Sequence, residues 1–479
     1  MADTGDTGNQ QGGQQPGGAG PAVDFDPSAE HHIRPKLRPV RPMPINHEGK
    51  QVLGLRDAQM ISEQMVVTGP LAQFLLGHMD GQTDLQGIIA KGKQQAQQQN
   101  VPAQAVEQLT EQPLKTLIGQ LDAAGMLEGP RFDSLLEDLR QQFDSTDILP
   151  PSATAEMADA LAKQDLGEGF DSASDEVKQE AGSRKLAEAL DQMIEKGLEN
   201  AEDPSWDALP RAVFVPQMDY QRGWLNYAAV YGRMRVCDKP DRVVVIGSNN
   251  FGRGKGVVGC DKGFGSPLGD LQLDDAFLET LKSSLGPDDA KKLMAEKYDH
   301  EREAAIEMQV PWLRHVFADR ETGDAPKIAA FLVHDYLRNN GEPYDDTGLG
   351  AQPFIDALRQ AIEQSPGKTL VIGAAELAHV GPAFGDQVRL VQGDQQADEF
   401  RKRVVEQDRN LLQTFGEGKV DEMTNQLAWS QNANRWSSVG PMVVTLDAVG
   451  RGEVKLLNYM GASDQQGMTM TTSFAGVVH

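Results

Sequence analysis

The sequence predicts an α/β fold for its C-terminal part, preceded by a smaller and mostly helical domain. The first observation is a set of three apolar runs, Arg211–Tyr220, Arg242–Asn250 and Thr369–His379, each ending in a short polar turn. Runs of this length and β-branched content read as buried parallel strands. The second observation is that strand-like and helix-like patterns alternate from there to about Val443, as a layered α/β architecture requires. Ligands of such sheets gather at the carboxyl ends of the strands. The polar residues at those ends, Gln217, Asn249, Asn250, Glu376 and His379, therefore mark a candidate site, and the set offers one imidazole and no thiol.

Composition limits what that site serves. The chain has 479 residues, enough for two folded units and tails. With 71 acidic against 45 basic residues, its formal net charge of −26 repels nucleic-acid phosphates and anionic membranes, so neither is an expected partner. No apolar stretch has the 18 or so residues needed to span a bilayer, and the first residues lack the basic and apolar regions of a secretory signal. A cytoplasmic location follows as the expectation. The two cysteines, Cys237 and Cys260, are too few for a disulfide framework and are read as reduced core residues.

The N-terminal half divides by composition. Residues 1–44 are a Gly/Gln/Asp/Pro tail, expected to be disordered to about residue 30, followed by a proline-rich extended connector over Ile33–Pro44. Residues 45–132 read as a domain. It opens with a short strand at Gln51–Leu55 and a helix from Thr68 that stops at Asp80–Gly81. A second helix is capped by Asp84, and a third spans Pro102–Ala124 and ends at Gly125. A hairpin-like segment over Met126–Phe132 would complete a winged-helix-like plan. Residues 133–205 are acidic, with helices at Phe132–Ser145 and Arg184–Leu198 bounding a mobile linker. The second domain covers 206–479.

The order of elements in 45–132, with the turn Asp80–Ile88 and the segment Leu117–Leu127, resembles PqqD-like domains that accompany radical-SAM maturation systems. The resemblance implies a module that docks a peptide or protein, and radical-SAM and related proteins as partners.

A second resemblance runs through the C-terminal domain. Val215–Tyr220, Ile246–Asn250, Ser266–Asp270, Glu303–Pro311, Glu376–His379 and Val439–Pro441 look like the successive signature segments of the Memo family, also called AmmeMemoRadiSam system protein B. That family is similar in fold to class III extradiol dioxygenases, which bind non-haem iron. The resemblance also implies departures. Family members carry histidine where this chain has Gln217, a histidine pair where it has Asn249 and Asn250, cysteine where it has Ser437, and a further histidine where it has Ala304. Glutamine, asparagine and serine are neutral, weak ligands for metals that select imidazole or thiolate. The expectation is a degenerate metal site and no cofactor, with iron or copper if the family site persists. The leading expectation is thus a catalytically silent Memo-like domain joined to a docking domain, an accessory or binding component of a modification pathway. The alternative is an active dioxygenase-like or hydrolytic enzyme that uses Glu307, Glu376 and His379, with Asp219 as a further candidate and with a non-standard metal or none. Asp219, Glu307 and Ser437 are accordingly counted with the pocket.

Other motifs are weaker. Gly252–Gly256 has neither the spacing nor the following Ser or Thr of a phosphate loop and reads as a flexible basic loop. His300–Glu301 starts no H-E-x-x-H motif because residue 304 is alanine. His315 is expected to interact with the carbonyl end of its helix. Ser437–Ser438 lacks the glycine-flanked nucleophile elbow.

Overall fold

The structure is a computed structural model that describes residues 24–47 and 50–479. The expected disorder of the first residues lies largely outside these. Two compact units divide between Asp144 and Ser145.

The first unit contains α1 (Glu30–Ile33), β1 (Val40–His47), β2 (Lys50–Asp57), β3 (Met65–Thr68), α2 (Gln73–Leu76), α3 (Leu85–Gln98), α4 (Ala103–Val106), α5 (Glu111–Ala123) and α6 (Pro130–Asp144). The strands form an antiparallel sheet in the order β1-β2-β3. Leu55, Phe74, Ile88, Leu114, Ile118 and Leu121 are among its buried core residues. Asp84 caps α3 as expected, its Oδ1 accepting the Gly87 N–H at 2.8 Å, and Gly125 ends the helical region with φ +65°. Three expectations are corrected here. The connector over 33–44 is partly structured, with Lys36 and Leu37 bridging Asp80 and Leu127 and β1 starting at Val40. The single helix over 102–124 is two, because 107–110 break it. The hairpin-like segment over 126–132 is one bridge at Leu127 followed directly by α6.

The second unit opens with β4 (Ile148–Leu149), α7 (Ala153–Leu166) and α8 (Asp175–Leu198), then β5 (Ala212–Val215), α9 (Tyr220–Tyr231), β6 (Arg242–Ser248), β7 (Val258–Gly259) and β8 (Gly263–Phe264). Next come α10 (Asp275–Leu285), α11 (Pro287–Met294), α12 (Ala304–Glu307), α13 (Val310–Phe317), β9 (Lys327–Val333), α14 (Ala351–Gln364), β10 (Thr369–Ala374) and β11 (Glu376–Val380). The chain closes with α15 (Gln395–Gly416), α16 (Val420–Trp429), α17 (Val439–Ala448), β12 (Lys455–Ser463) and β13 (Met470–Val478). The expected mobile linker over 133–205 is therefore corrected. Its first helix belongs to the first unit, and α7 and α8 pack within the second through Ala158, Ala162, Ala181, Leu186, Leu190 and Ile194, all buried. Small and apolar residues at helical spacing in an otherwise acidic stretch make that face.

An eight-stranded mixed sheet runs β11-β13-β5-β10-β6-β9-β7, with β12 added on β13. Strands β5, β10, β6 and β9 are mutually parallel in register, and β5 and β6 are buried throughout, as strands covered on both faces must be. The carboxyl ends of these four strands lie along one edge of the sheet. Gly247, the penultimate residue of β6, allows α12 to approach: a Cβ there would stand 2.6 Å from that of Ala305. The wholly buried α17 lies along β10 and β6 and brings its N-terminus to the same edge.

Candidate functional site at the carboxyl edge of the sheet

Each parallel strand delivers a polar residue to this edge. Gln217 follows β5, Ser248 ends β6, His334 follows β9, and Glu376 stands two residues beyond β10. The buried Gln217 accepts the Ser248 N–H on Oε1 at 3.1 Å. Ser248 Oγ donates to the Ser437 carbonyl at 3.1 Å, and lies 3.4 Å from the Ser438 hydroxyl. Ser438 Oγ accepts the Glu376 N–H at 3.0 Å, while Ser437 Oγ donates to the Glu376 carbonyl at 3.2 Å. Gln217, Ser437, Glu376 and His379 thus join one network that ties β5, β6 and β11 to the start of α17.

Within it, His379 and Glu376 form the one charged pair. His379 Nδ1–H donates to the Leu377 carbonyl at 3.0 Å. That leaves Nε2 facing Glu376 Oε1 at 3.5 Å, a contact that favours the protonated ring. Burial pushes the imidazole down, but the Glu376 carboxylate with the Leu377 and Arg435 carbonyls outweighs it, and the pKa stands above the ordinary histidine value. The strand carrying His379 is held from behind. Its N–H donates to the Asn434 carbonyl, and the Ala378 N–H donates to Thr472 Oγ1. Asp408, fully buried on α15, then accepts from Thr472, Tyr459, Trp436 and Asn434.

Asn249 and Asn250 open a second cluster. Asn249 Nδ2 donates to Asp299 Oδ2 at 2.7 Å, and its Oδ1 accepts the Gly252 N–H at 2.9 Å. Asp299 also accepts the N–H groups of Arg253 and Gly254, both at 2.8 Å. Glu303 Oε1 accepts those of Asn250 and Phe251, the latter at 2.8 Å. The 249–254 loop is therefore anchored on two buried carboxylates, which corrects the expectation of a flexible loop. Gly252 is needed for this approach, since a Cβ would stand 2.2 Å from Asp299 Oδ2. Burial raises both carboxyls. The neighbouring Asp299 charge adds to the rise of Glu303, which reaches about 8 despite its hydrogen bonds.

Two other predicted pocket residues are spent on helix ends. Glu307 accepts the N–H groups of Ser152 and Thr154 and the Thr154 hydroxyl, and so satisfies the first turn of α7. Asp219, half-buried, caps α9 through the Arg222 N–H at 3.0 Å and pairs with the Arg222 guanidinium at 2.6 Å. His315 departs from its expected carbonyl contact and meets Asp191 of α8 at 2.8 Å.

A family model described as Memo-like protein matches residues 180–478, more than half of the chain. The chain belongs to the Memo-like family. A MEMO1 family protein of Aquifex aeolicus is 22% identical over 408 residues, which cover 85% of this chain and 90% of that protein. Another from Methanopyrus kandleri is 25% identical over 273 residues, 56% of this chain and 82% of its own length. One from Methanobrevibacter smithii reaches 33% identity over 111 residues, 23% of this chain and 38% of that relative. The Memo-like match takes in most of α8 and every element from β5 to β13, so it contains the entire carboxyl edge.

Sequence reasoning missed several residues of this Memo-like edge. Asp299 and Glu303 were legible only as carboxylates directly before α12; they share no helix, and the loop that they hold comes from a distant segment. His334 was legible as the first polar residue after β9. It is buried, its Nε2–H donates to the Glu342 carbonyl at 2.9 Å, and burial lowers its pKa. His300, also buried, is pushed down to about 4 by desolvation. Ser248 and Ser438 carry no local signal, since their partners come from distant segments.

Proposed function

We propose that this protein is a non-catalytic member of the Memo-like family, an accessory or binding component of a radical-SAM-type modification system, with a sheet edge that does not retain a transition-metal site. The observation that carries this reading is the donor set at the edge. His379 is the one imidazole of the predicted set, and Gln217 and Ser437 already hydrogen-bond to backbone groups. Among the described residues, no three His, Cys, Asp or Glu donor atoms converge there within 4.8 Å of one another. Amides and hydroxyls are poor ligands for iron or copper, so the residues present do not fit such an ion. The anchored, polar edge retains the capacity to hold a small polar molecule through amide and hydroxyl groups. In this reading residues 45–132 form a PqqD-like module that presents a peptide or protein, and the location is cytoplasmic.

A second reading is favoured by the His379–Glu376 pair, an imidazole and a carboxylate 3.5 Å apart that could act together as acid and base. The protein would then be a hydrolytic or dioxygenase-like enzyme built on these two residues, since Glu307 and Asp219 are committed to helix ends.

The test is metal content by mass spectrometry after dialysis of the full chain against iron, copper and zinc under reducing conditions, in wild type and His379→Ala. No metal that depends on His379 is the expected result. Stoichiometric metal lost in that variant overturns the non-catalytic reading and favours the enzyme.

A further inference from the structure

Away from the sheet edge, one group of side chains gathers metal-binding donors. His31 and His32, at the end of α1, face Asp122 on α5, and one ligand atom from each lies within 4.8 Å of the other two. His31 Nε2 is 3.4 Å from Asp122 Oδ1, and His32 Nε2 is 3.1 Å from Oδ2. A tetrahedral zinc with bonds of about 2.0–2.1 Å sets neighbouring ligand atoms about 3.3–3.4 Å apart. The two contacts thus approach the spacing of tetrahedral edges.

The bonding around them is incomplete. His32 is 2% exposed and Asp122 7%, yet His32 Nε2 and Asp122 Oδ1 have no hydrogen-bond partner among the described residues. At 3.1 Å the imidazole is close enough to bond the carboxylate but is misaligned for it. A buried imidazole and carboxylate left in this way cost free energy that a cation held between them would offset.

We propose that His31, His32 and Asp122 bind a borderline divalent metal, with zinc as the ion their chemistry fits. Two imidazoles and one carboxylate are the donors such ions take, and three protein ligands leave a position open to water. One contact must change on binding. The Asp26 N–H donates to His32 Nδ1 at 2.8 Å, so in the neutral ring the proton sits on Nε2. Metal capture at Nε2 moves that proton to Nδ1, turns Nδ1 into a donor, and deprives the Asp26 amide of its acceptor. Ligating histidines generally donate their other N–H to a carboxylate or carbonyl. The Asp26 carboxylate, which lies in the field of both imidazoles, is the nearby group of that kind. This site is independent of the reading of the sheet edge.

The test is calorimetric zinc titration of the full chain against a competing chelator, for wild type, His31→Gln and His379→Ala. The His31 side chain is 24% exposed, so its substitution disturbs packing least, and circular dichroism checks the fold. The expected result is stoichiometric zinc that His31→Gln weakens by more than about tenfold. An NMR shift of the Asp26 amide on zinc addition to wild type supplies a readout that affinity alone does not. No zinc uptake, or uptake unchanged in His31→Gln, overturns the site. Zinc lost in His379→Ala and kept in His31→Gln overturns both this site and the metal-free reading of the edge. Loss in His31→Gln alone supports the site and leaves that reading standing.

Discussion

Thr154 gives Glu307 both its backbone N–H, at 2.8 Å, and its hydroxyl, at 2.6 Å. The pair fastens the start of α7 to α12, which packs on β6 beside the sheet edge. Because both residues are buried, Glu307→Ala leaves several donors of the α7 first turn without a partner. The expected cost is about 2–4 kcal/mol by chemical denaturation. Thr154→Val, which keeps the backbone bond, is expected to cost about 1–2 kcal/mol. Equal small losses in both variants would show that water replaces the carboxylate.

Glu303 sets a pH dependence. Its pKa of about 8 in the native state lies above the value of the unfolded chain. Between about pH 4.5 and 8 the unfolded chain releases this proton while the native chain keeps it. Stability therefore falls as pH rises, by about 1.4 kcal/mol per unit for one group. Asp299, also raised by burial, contributes in the same direction as pH rises above its unfolded value. Glu303→Gln is expected to flatten the slope, measured as unfolding free energy at intervals from pH 5 to 8. An unchanged slope in the variant would refute the assignment.

His379 runs the other way. A raised histidine pKa contributes stability that is complete below the unfolded value near 6.5 and is lost as pH rises through the native one. Glu376→Gln removes the carboxylate that raises it, leaving burial to dominate. NMR titration of the imidazole is expected to show a pKa below the ordinary value in that variant. The stability difference from wild type should be larger at pH 5.5 than at pH 9.

The first unit has its own vulnerable point. Arg38, 2% exposed, reaches Asp57 at 3.1 Å, the Gly125 carbonyl at 2.7 Å and the Gln59 amide oxygen at 2.9 Å, and lies over the Phe132 ring. Arg38→Ala leaves Asp57 buried without its cation, at an expected cost of about 3–5 kcal/mol. Arg38→Met with Asp57→Leu is expected to recover little of it, because Asp57 also accepts the N–H groups of Gln59, Ile61 and Ser62, which the leucine leaves without a partner. Thermal unfolding of the single and double variants checks both values.

The strands were legible because burial on both faces leaves mostly apolar residues, and the run Arg242–Asn250 predicted β6 nearly to the residue. The caps at Asp84 and Gly125 were legible for the equally local reason that one side chain or one φ angle decides them. The helix read at Arg184–Leu198 is the C-terminal part of α8, but α7 and the packing of both helices were missed because their buried face is made of alanines, glycine and leucines in an acidic stretch, a pattern that local hydrophobicity hardly distinguishes from a linker.

By itself, then, the sequence determined the α/β class, the run of buried strands and the polar residues at their carboxyl ends, because each follows from periodicity within a few neighbouring residues. Only the tertiary structure decided what those residues do. It sent Glu307 and Asp219 to helix ends, set Glu376 against His379, anchored the 249–254 loop on Asp299 and Glu303, and brought His31 and His32 to Asp122. A buried polar group takes whichever partner the packing of distant segments delivers, and that choice is written in three dimensions rather than in local spacing.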